Sequence, residues 1–506
     1  MLKRIRVGIA ALFFTLITLY FLDFAELLPE QLNFLTRIQF VPALLSFSIV
    51  WIVSLILLAL IFGRVYCSVI CPMGVYQDVV GRLARLFRKK KKRFRFRKSM
   101  TILRWSVVFI VLVAFLLGMP LLLGMLDPYS AYGRMIVSVF SPVYILGNNL
   151  LEAIFTSFDN YTFYREDASI VSISTFIAGV VTLLVIGYLA WKHGRTYCNT
   201  ICPVGTVLGL LSKYSLFRVK FDHGKCNSCS LCELNCKSYC IDSKAQEIDQ
   251  SRCVSCFNCI ESCNRSAISY KFAYGKRSTK NDVPQKDVVD TSKRKFLSTA
   301  LLSTVAIPAA LAEKATGIEA ANKRTPLTPP GSKGIEHLKD YCTSCHLCVS
   351  KCPTNILEPA FTEYGLAGFM MPTMKFQHGF CSYDCTICSE VCPNGAIQPL
   401  TVDEKHLEQV GKIILNLDHC ITYRDETHCG ACAEHCPTQA VTMVPYKGAL
   451  TIPETDQSIC IGCGGCEYIC PEAGKAIYIE GNAEHQKAEM FEEAEKKEFD
   501  FGGFGF

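Results

Sequence analysis

The cysteines constrain this chain more than any other feature. It has 506 residues and 29 cysteines, and 24 of those cysteines fall into six sets of four. Cys226, Cys229, Cys232 and Cys236 are separated by two, two and three residues, and Cys253, Cys256, Cys259 and Cys263 repeat that spacing. Cys342, Cys345, Cys348 and Cys352 do so again, as do Cys460, Cys463, Cys466 and Cys470. Cys381, Cys385, Cys388 and Cys392 open the first gap to three residues, and Cys420, Cys429, Cys432 and Cys436 open it to eight. Three thiolates this close in sequence cap one corner of a [4Fe–4S] cubane, and a fourth comes from a neighbouring set. The first two sets then give Cys226, Cys229 and Cys232 with Cys263, and Cys253, Cys256 and Cys259 with Cys236. The other four sets suit four further clusters, about six in all. Exchange of the fourth ligand can pair adjacent sets, or pair the outer two sets with each other and the inner two with each other, and spacing leaves both open.

Other chemistries fit less well. Zinc ribbons use separated C-x2-C pairs, not four cysteines in tandem. Disulfide frameworks belong to short secreted chains. Cys342-Thr343-Ser344-Cys345-His346 matches the C-x-x-C-H haem-attachment motif, but haem there would orphan Cys348 and Cys352. Pro353, Pro393, Pro437 and Pro471 close the last four sets in the manner of two-cluster ferredoxins, whereas Lys237 and Asn264 stand at those places in the first two. Cys240 is surplus: it either replaces Cys236 as a ligand or sits nearby.

The remainder is apolar. Half the residues are hydrophobic, 19% are charged and the mean hydropathy is +0.26, a balance that points to membrane spans. The sequence predicts four, over 7–27, 41–62, 102–126 and 170–191, and leaves a fifth open at the apolar run 296–312. The loop from Gly63 to Met100 carries 12 basic residues against the single acid Asp78, so the positive-inside rule puts it and the N-terminus in the cytoplasm. Because the net charge of +7 comes largely from this block, a nucleic-acid partner is not expected. With no ionisable residue in mid-span, neither a b-type haem nor a proton relay is indicated.

An internal repeat follows the second and fourth spans. Gly63-Arg64-Val65-Tyr66-Cys67-Ser68-Val69-Ile70-Cys71-Pro72-Met73-Gly74 recurs 131 residues later as Gly194-Arg195-Thr196-Tyr197-Cys198-Asn199-Thr200-Ile201-Cys202-Pro203-Val204-Gly205. Two halves of the same span–span–motif plan are implied. Cys67, Cys71, Cys198 and Cys202 would form a further redox or metal centre if the halves bring them together; otherwise they are inert thiols at helix ends. The predicted fold is therefore multi-domain, an α-helical membrane domain with α+β ferredoxin-like [4Fe–4S] domains. The expected limits are 1–220 for the membrane domain, 221–275 for a two-cluster domain, 276–331 for a linker, 332–482 for a four-cluster domain and 483–506 for a charged tail. Within the linker, Ser292-Lys293-Arg294-Lys295-Phe296-Leu297 resembles a twin-arginine export motif, followed by an apolar run and Ala310-Leu311-Ala312, which resembles a signal-peptidase site.

Taken in order, these motifs resemble the NapH and NapG ferredoxin-type proteins of periplasmic nitrate reductase systems joined in one chain. The first half is also similar to the membrane portions of the NosR and CcoG families. The resemblance implies a respiratory electron-transfer protein of the bacterial inner membrane, with quinol or a cytoplasmic donor on one side and a periplasmic oxidoreductase or electron carrier on the other. Its N-terminus and two-cluster domain would be cytoplasmic and its four-cluster domain periplasmic. The chain would be an electron-transfer component of an oxidoreductase system, with membrane lipid and the quinone pool among its partners. The competing expectation is a maturation or repair factor that reduces a metal or thiol while a respiratory metalloenzyme is assembled.

Overall fold

A computed structural model describes residues 1–23, 27–87, 94–165, 173–274, 324–365 and 367–489. The export-like segment at 292–312 and the basic run at 88–93 lie outside the described residues.

Three helices are long and apolar enough to cross a membrane: Leu2–Leu22, Pro128–Thr156 and Ile173–His193. Their surfaces, and those of the shorter helices Ile49–Phe62 and Thr101–Leu116, present large apolar side chains outward, among them Leu12, Phe109, Leu146 and Leu184. The first and last agree with the expected spans. The second expected span is broken. Phe40–Leu45 and Ile49–Phe62 are separate helices, and Phe47 between them adopts φ +50°. The third is broken too. Thr101–Leu116 ends where Gly118 turns left-handed at φ +74°, with Met119 N–H bonding Ala114 O, and Pro120 follows before Leu121–Leu126. Glycine supplies the left-handed cap and proline cannot continue a helix, which explains the stop.

The stretch 127–169, which lies between the third and fourth expected spans, holds the whole of the 29-residue helix Pro128–Thr156. Asp127 is its N-cap and takes the Ser130 N–H at 2.8 Å, ahead of Pro128 in the first turn. Glu152 lies near the far end and accepts from Thr156. Those two acids flank the apolar part of the helix instead of interrupting it.

The cysteine-rich parts are built from short helices and five two-stranded antiparallel sheets. In the first part, Phe217–Phe221 pairs with Ile268–Phe272 and Ile241–Asp242 with Glu247–Ile248. In the second, Glu408–Leu415 pairs with Ile477–Lys487, and Val441–Pro445 with Thr451–Thr455. Leu357–Pro359 and Pro372–Met374 form the remaining sheet. Two-stranded sheets are marginal by themselves, and the core of the first part is largely cysteine, with Cys232, Cys236, Cys240 and Cys259 packed on Val219, Ile241 and Ile268.

Helix Leu2–Leu22 meets both parts. At its N-terminal end Lys3 pairs with Glu261 of the first, and just past its C-terminal end Asp23 pairs with Lys351 of the second at 2.7 Å. Twenty-one residues of helix span about 30 Å.

Candidate iron–sulfur centres

Four of the six sets share one local device. The residues flanking the second cysteine, Ser228 and Ser230, Ser255 and Phe257, Ser344 and His346, and Gly462 and Gly464, all have φ between +48° and +80°. Two left-handed residues curl the loop so that three thiols turn towards one point, a strain that non-glycine residues hold only where the surroundings fix it. The curl also aims backbone N–H groups at sulfur. Ser228 N–H bonds Cys226 Sγ, Ser344 N–H bonds Cys342 Sγ and Gly462 N–H bonds Cys460 Sγ, each at 3.4 Å. Such bonds favour thiolate and tune the potential of a cluster. His346, the haem-like position, is a buried turn residue with Nε2 on Met370 O at 3.0 Å.

Packing decides which thiol sets lie beside one another. Cys226, Cys229, Cys232 and Cys263 line one cavity of about 200 Å³. Cys236 stands in electrostatic range of Cys256 and Cys259. Cys392 stands in electrostatic range of Cys342, Cys345 and Cys348, and Cys352 of Cys381 and Cys388. Cys436 faces Cys460, Cys463 and Cys466. Cys420 and Cys429 face Cys432. Adjacent sets thus lie beside one another, and the arrangement that joins the outer two sets to each other and the inner two to each other is not formed. The surplus Cys240 is buried, with Sγ 3.4 Å from Cys236 Sγ, and it also bonds Cys253. Among the described residues no three His, Cys, Asp or Glu side chains converge on the position of a single metal ion; the thiolates of a cubane bind separate irons and need no such convergence.

The repeat brings its two halves together. Cys67, Cys71, Cys198 and Cys202 are each 3–4% exposed and belong to one core. Burial pushes the thiols of Cys71, Cys198 and Cys202 up, and the neighbouring thiols add to the effect. The arginines of the repeat cross between halves: Arg64 Nη2 donates to Cys198 O at 3.1 Å, and Arg195 Nη1 to Cys67 O at 2.5 Å. Each is packed against the glycine that closes the opposite copy, since a Cβ on Gly74 would meet Cys67 O at 2.2 Å and Arg195, and one on Gly205 would meet Cys198 O at 2.2 Å and Arg64. Sulfur receives further donors from Gln77 to Cys198 at 3.1 Å, Gly205 N–H to Cys202 at 3.3 Å and Arg64 to Cys67 at 3.8 Å. Buried thiolates need such compensation. Sequence reasoning singled out these cysteines but gave no role to Arg64, Arg195 or Gln77; an arginine at the same place in both copies was the available signal.

Position gives the centres an order. Arg64 Nη1 bonds Ser251 O at 3.1 Å, Ser255 Oγ bonds Phe62 O, and Val254 and Cys256 pack into the core that holds the four repeat thiols. Cys345 and Cys348 enter the same core from the other part. Arg134 donates to Thr343 O and Ser344 O, and its Nη2 takes Gly124 O at the broken third helix. Tyr197 bonds Leu126 O there. Irregular backbone in an apolar layer is tolerated where protein groups satisfy it. Beyond Cys381, whose N–H bonds Cys463 O at 2.9 Å, lies the Cys460 set. The missing proline after Cys236 also has a reason: Lys237 is buried against Asp78, and its carbonyl takes the Arg195 N–H.

Comparison with known proteins agrees with this chemistry. Residues 44–94 and 173–222, the two copies of the repeat, match a family described as a 4Fe-4S binding domain. Residues 427–474 match a 4Fe-4S dicluster domain, and residues 335–358 another 4Fe-4S binding domain. The ferredoxin-type protein MauM of methylamine utilization from Methylobacillus flagellatus is 30% identical over 167 residues, 31% of this chain and 68% of that protein. MauM of Methylophilus methylotrophus is 31% identical over 30% of this chain and 70% of its own length. The ferredoxin-type protein NapF of Escherichia coli K12 is 28% identical over 29% of this chain and 80% of its own. No solved structure matches. The chain belongs to the ferredoxin-type iron–sulfur proteins, and it carries multiple [4Fe–4S] clusters. These relatives support the wider family expected from the motifs and not NapH or NapG in particular.

Proposed function

We propose that this chain is a membrane-bound electron-transfer protein that takes electrons from quinol or a cytoplasmic donor and delivers them to a periplasmic oxidoreductase or its carrier. Six thiol sets would hold [4Fe–4S] clusters: Cys226, Cys229, Cys232 and Cys263; Cys253, Cys256, Cys259 and Cys236; Cys342, Cys345, Cys348 and Cys392; Cys381, Cys385, Cys388 and Cys352; Cys460, Cys463, Cys466 and Cys436; Cys420, Cys429, Cys432 and Cys470. Each cluster supplies a one-electron carrier when bound. Cys67, Cys71, Cys198 and Cys202 form the seventh centre and join the two domains. The observation that supports this reading is their place in the one core that Cys256 and Cys345 also enter. Electron tunnelling decays steeply with distance, so cluster domains at the two ends of a membrane-length helix need a centre between them.

The test replaces Cys198 and Cys202 by Ser in chain reconstituted into sealed vesicles. A membrane-impermeant low-potential donor is added on the side of the two-cluster domain, and EPR follows each group of clusters. In the parent chain the clusters beyond Cys342 reduce within the mixing time. In the variant only the two clusters at Cys226–Cys263 reduce. Equal reduction in both chains removes the repeat centre from the path. Protease cleavage beyond Pro326 in spheroplasts tests the sidedness, and protection of that half overturns periplasmic delivery.

A further inference from the structure

The end of the helical domain that meets the two-cluster part contains a cavity of about 240 Å³ that the electron path does not use. Its walls carry six cations, Lys3, Arg6, Arg82, Arg85, Arg195 and Lys237, and one carboxylate, Asp78. Asp78 is already engaged three times, by Arg195 Nε at 2.8 Å, Arg6 Nη1 at 3.3 Å and Lys237. Lys3 pairs with Glu261. Positive charge remains in large excess, and part of it is buried: Arg6 is 6% exposed and Arg195 1%. On these two side chains Arg6 Nε and Arg195 Nη2 have no hydrogen-bond partner among the described residues. Gln77, also in the wall and buried, leaves Oε1 unpartnered. Arg82 and Arg85 are exposed at the rim.

A buried guanidinium nitrogen without an acceptor costs free energy. Two of them, with Lys237 and two exposed arginines around a cavity that holds more than a few waters at about 30 Å³ each, describe a receptor for a multivalent oxyanion. We propose that this cavity binds a phosphate group, with Arg6, Arg195 and Lys237 as its floor and Arg82 and Arg85 as its clamp. Guanidinium forks match phosphate oxygens in pairs. The phosphate belongs either to an anionic lipid headgroup or to a soluble phosphate-bearing molecule. Because Gln77 also donates to Cys198 Sγ and Arg195 to Cys67 O, an occupant would sit one side chain away from the repeat centre.

Two arms separate the sources. Delipidated full-length chain is dialysed against radiolabelled inorganic phosphate, and chain passed through mixed phosphatidylglycerol and phosphatidylcholine micelles is examined by native mass spectrometry. The double variant R82Q/R85Q changes only exposed side chains, and its visible cluster absorbance verifies folding. Saturable phosphate binding, weakened about tenfold in the variant, supports the site with a soluble ligand. A retained phosphatidylglycerol adduct, absent with phosphatidylcholine and lost in the variant, supports it with a lipid. Binding in neither arm, or binding that the variant leaves undiminished, overturns the proposal and leaves these cations as counter-charges to Asp78 and the thiols alone.

Discussion

Cys240 and Asp78 show how far a single residue's neighbours decide its role. Cys240 lies between Cys236 and Cys253, and its thiol holds the other two down while its own is pushed up. It is placed as a hydrogen-bond donor beside the Cys253 set. Replacing Cys240 by Ala should leave the iron content unchanged, while Cys236→Ala should lose about four irons per chain on ligand arithmetic; iron and sulfide analysis decides between them. Asp78 is the lone acid of a strongly basic loop. Burial would raise its carboxyl, but Arg195 and Lys237 hold it well below the ordinary carboxylate range. Its folded value is therefore below its unfolded value near 4. The stabilisation is complete above about pH 4 and is lost as pH falls below it. Asp78→Asn, which strands buried cations, should cost about 3–5 kcal/mol at neutral pH. It should also flatten the acid limb of stability, as read by unfolding in detergent at pH 3 to 7.

At the level of elements, the repeat works through glycine. The helices Pro72–Phe87 and Pro203–Ser212 each start directly after a cysteine, and their third residues, Gly74 and Gly205, lie under the carbonyls of Cys67 and Cys198. Gly205→Ala should push the Cys198 carbonyl away and loosen the Arg64 contact, at a cost of roughly 1–3 kcal/mol. Gly8→Ala makes the matching control. Nothing lies within 4 Å of its added Cβ, so helix propensity should stabilise it by about 0.5–1 kcal/mol. Thermal unfolding of the two variants should move in opposite directions.

At the level of the whole molecule, thiols make up much of the small core of the first cysteine-rich part and stand among aliphatic side chains such as Ile356, Val410, Ile413 and Ile477 in the core of the second. Removal of iron by oxidant and chelator should therefore unfold the two-stranded sheets and leave the long helices. In circular dichroism the helical signal should persist while the near-ultraviolet and visible bands are lost, since metal binding and folding are coupled in small metal-held domains. Docking of the second cysteine-rich part also depends on the helical domain. Asp23 with Lys351, Ser130 with Thr343, and Asn33 with Glu390 O all tie its first unit to helix ends.

The sequence by itself determined the chemistry. Cysteine spacing of two, two and three is a local property that only a multi-iron centre exploits four times over, and the curled loops at Ser228, Ser255, Ser344 and Gly462 follow from it. The 131-residue repeat and the outer two spans were equally legible, because apolar length and identity of motif are one-dimensional facts. The breaks at Phe47 and Gly118 and the helix Pro128–Thr156 were not, because hydropathy sums over a window and does not register a single left-handed residue or a capping acid. Pairing of the last four thiol sets, the crossed arginines and the one core that the repeat thiols share with Cys256 and Cys345 came only from tertiary structure. Each depends on which surfaces bury one another, and residues more than a hundred positions apart carry no spacing from which that can be read.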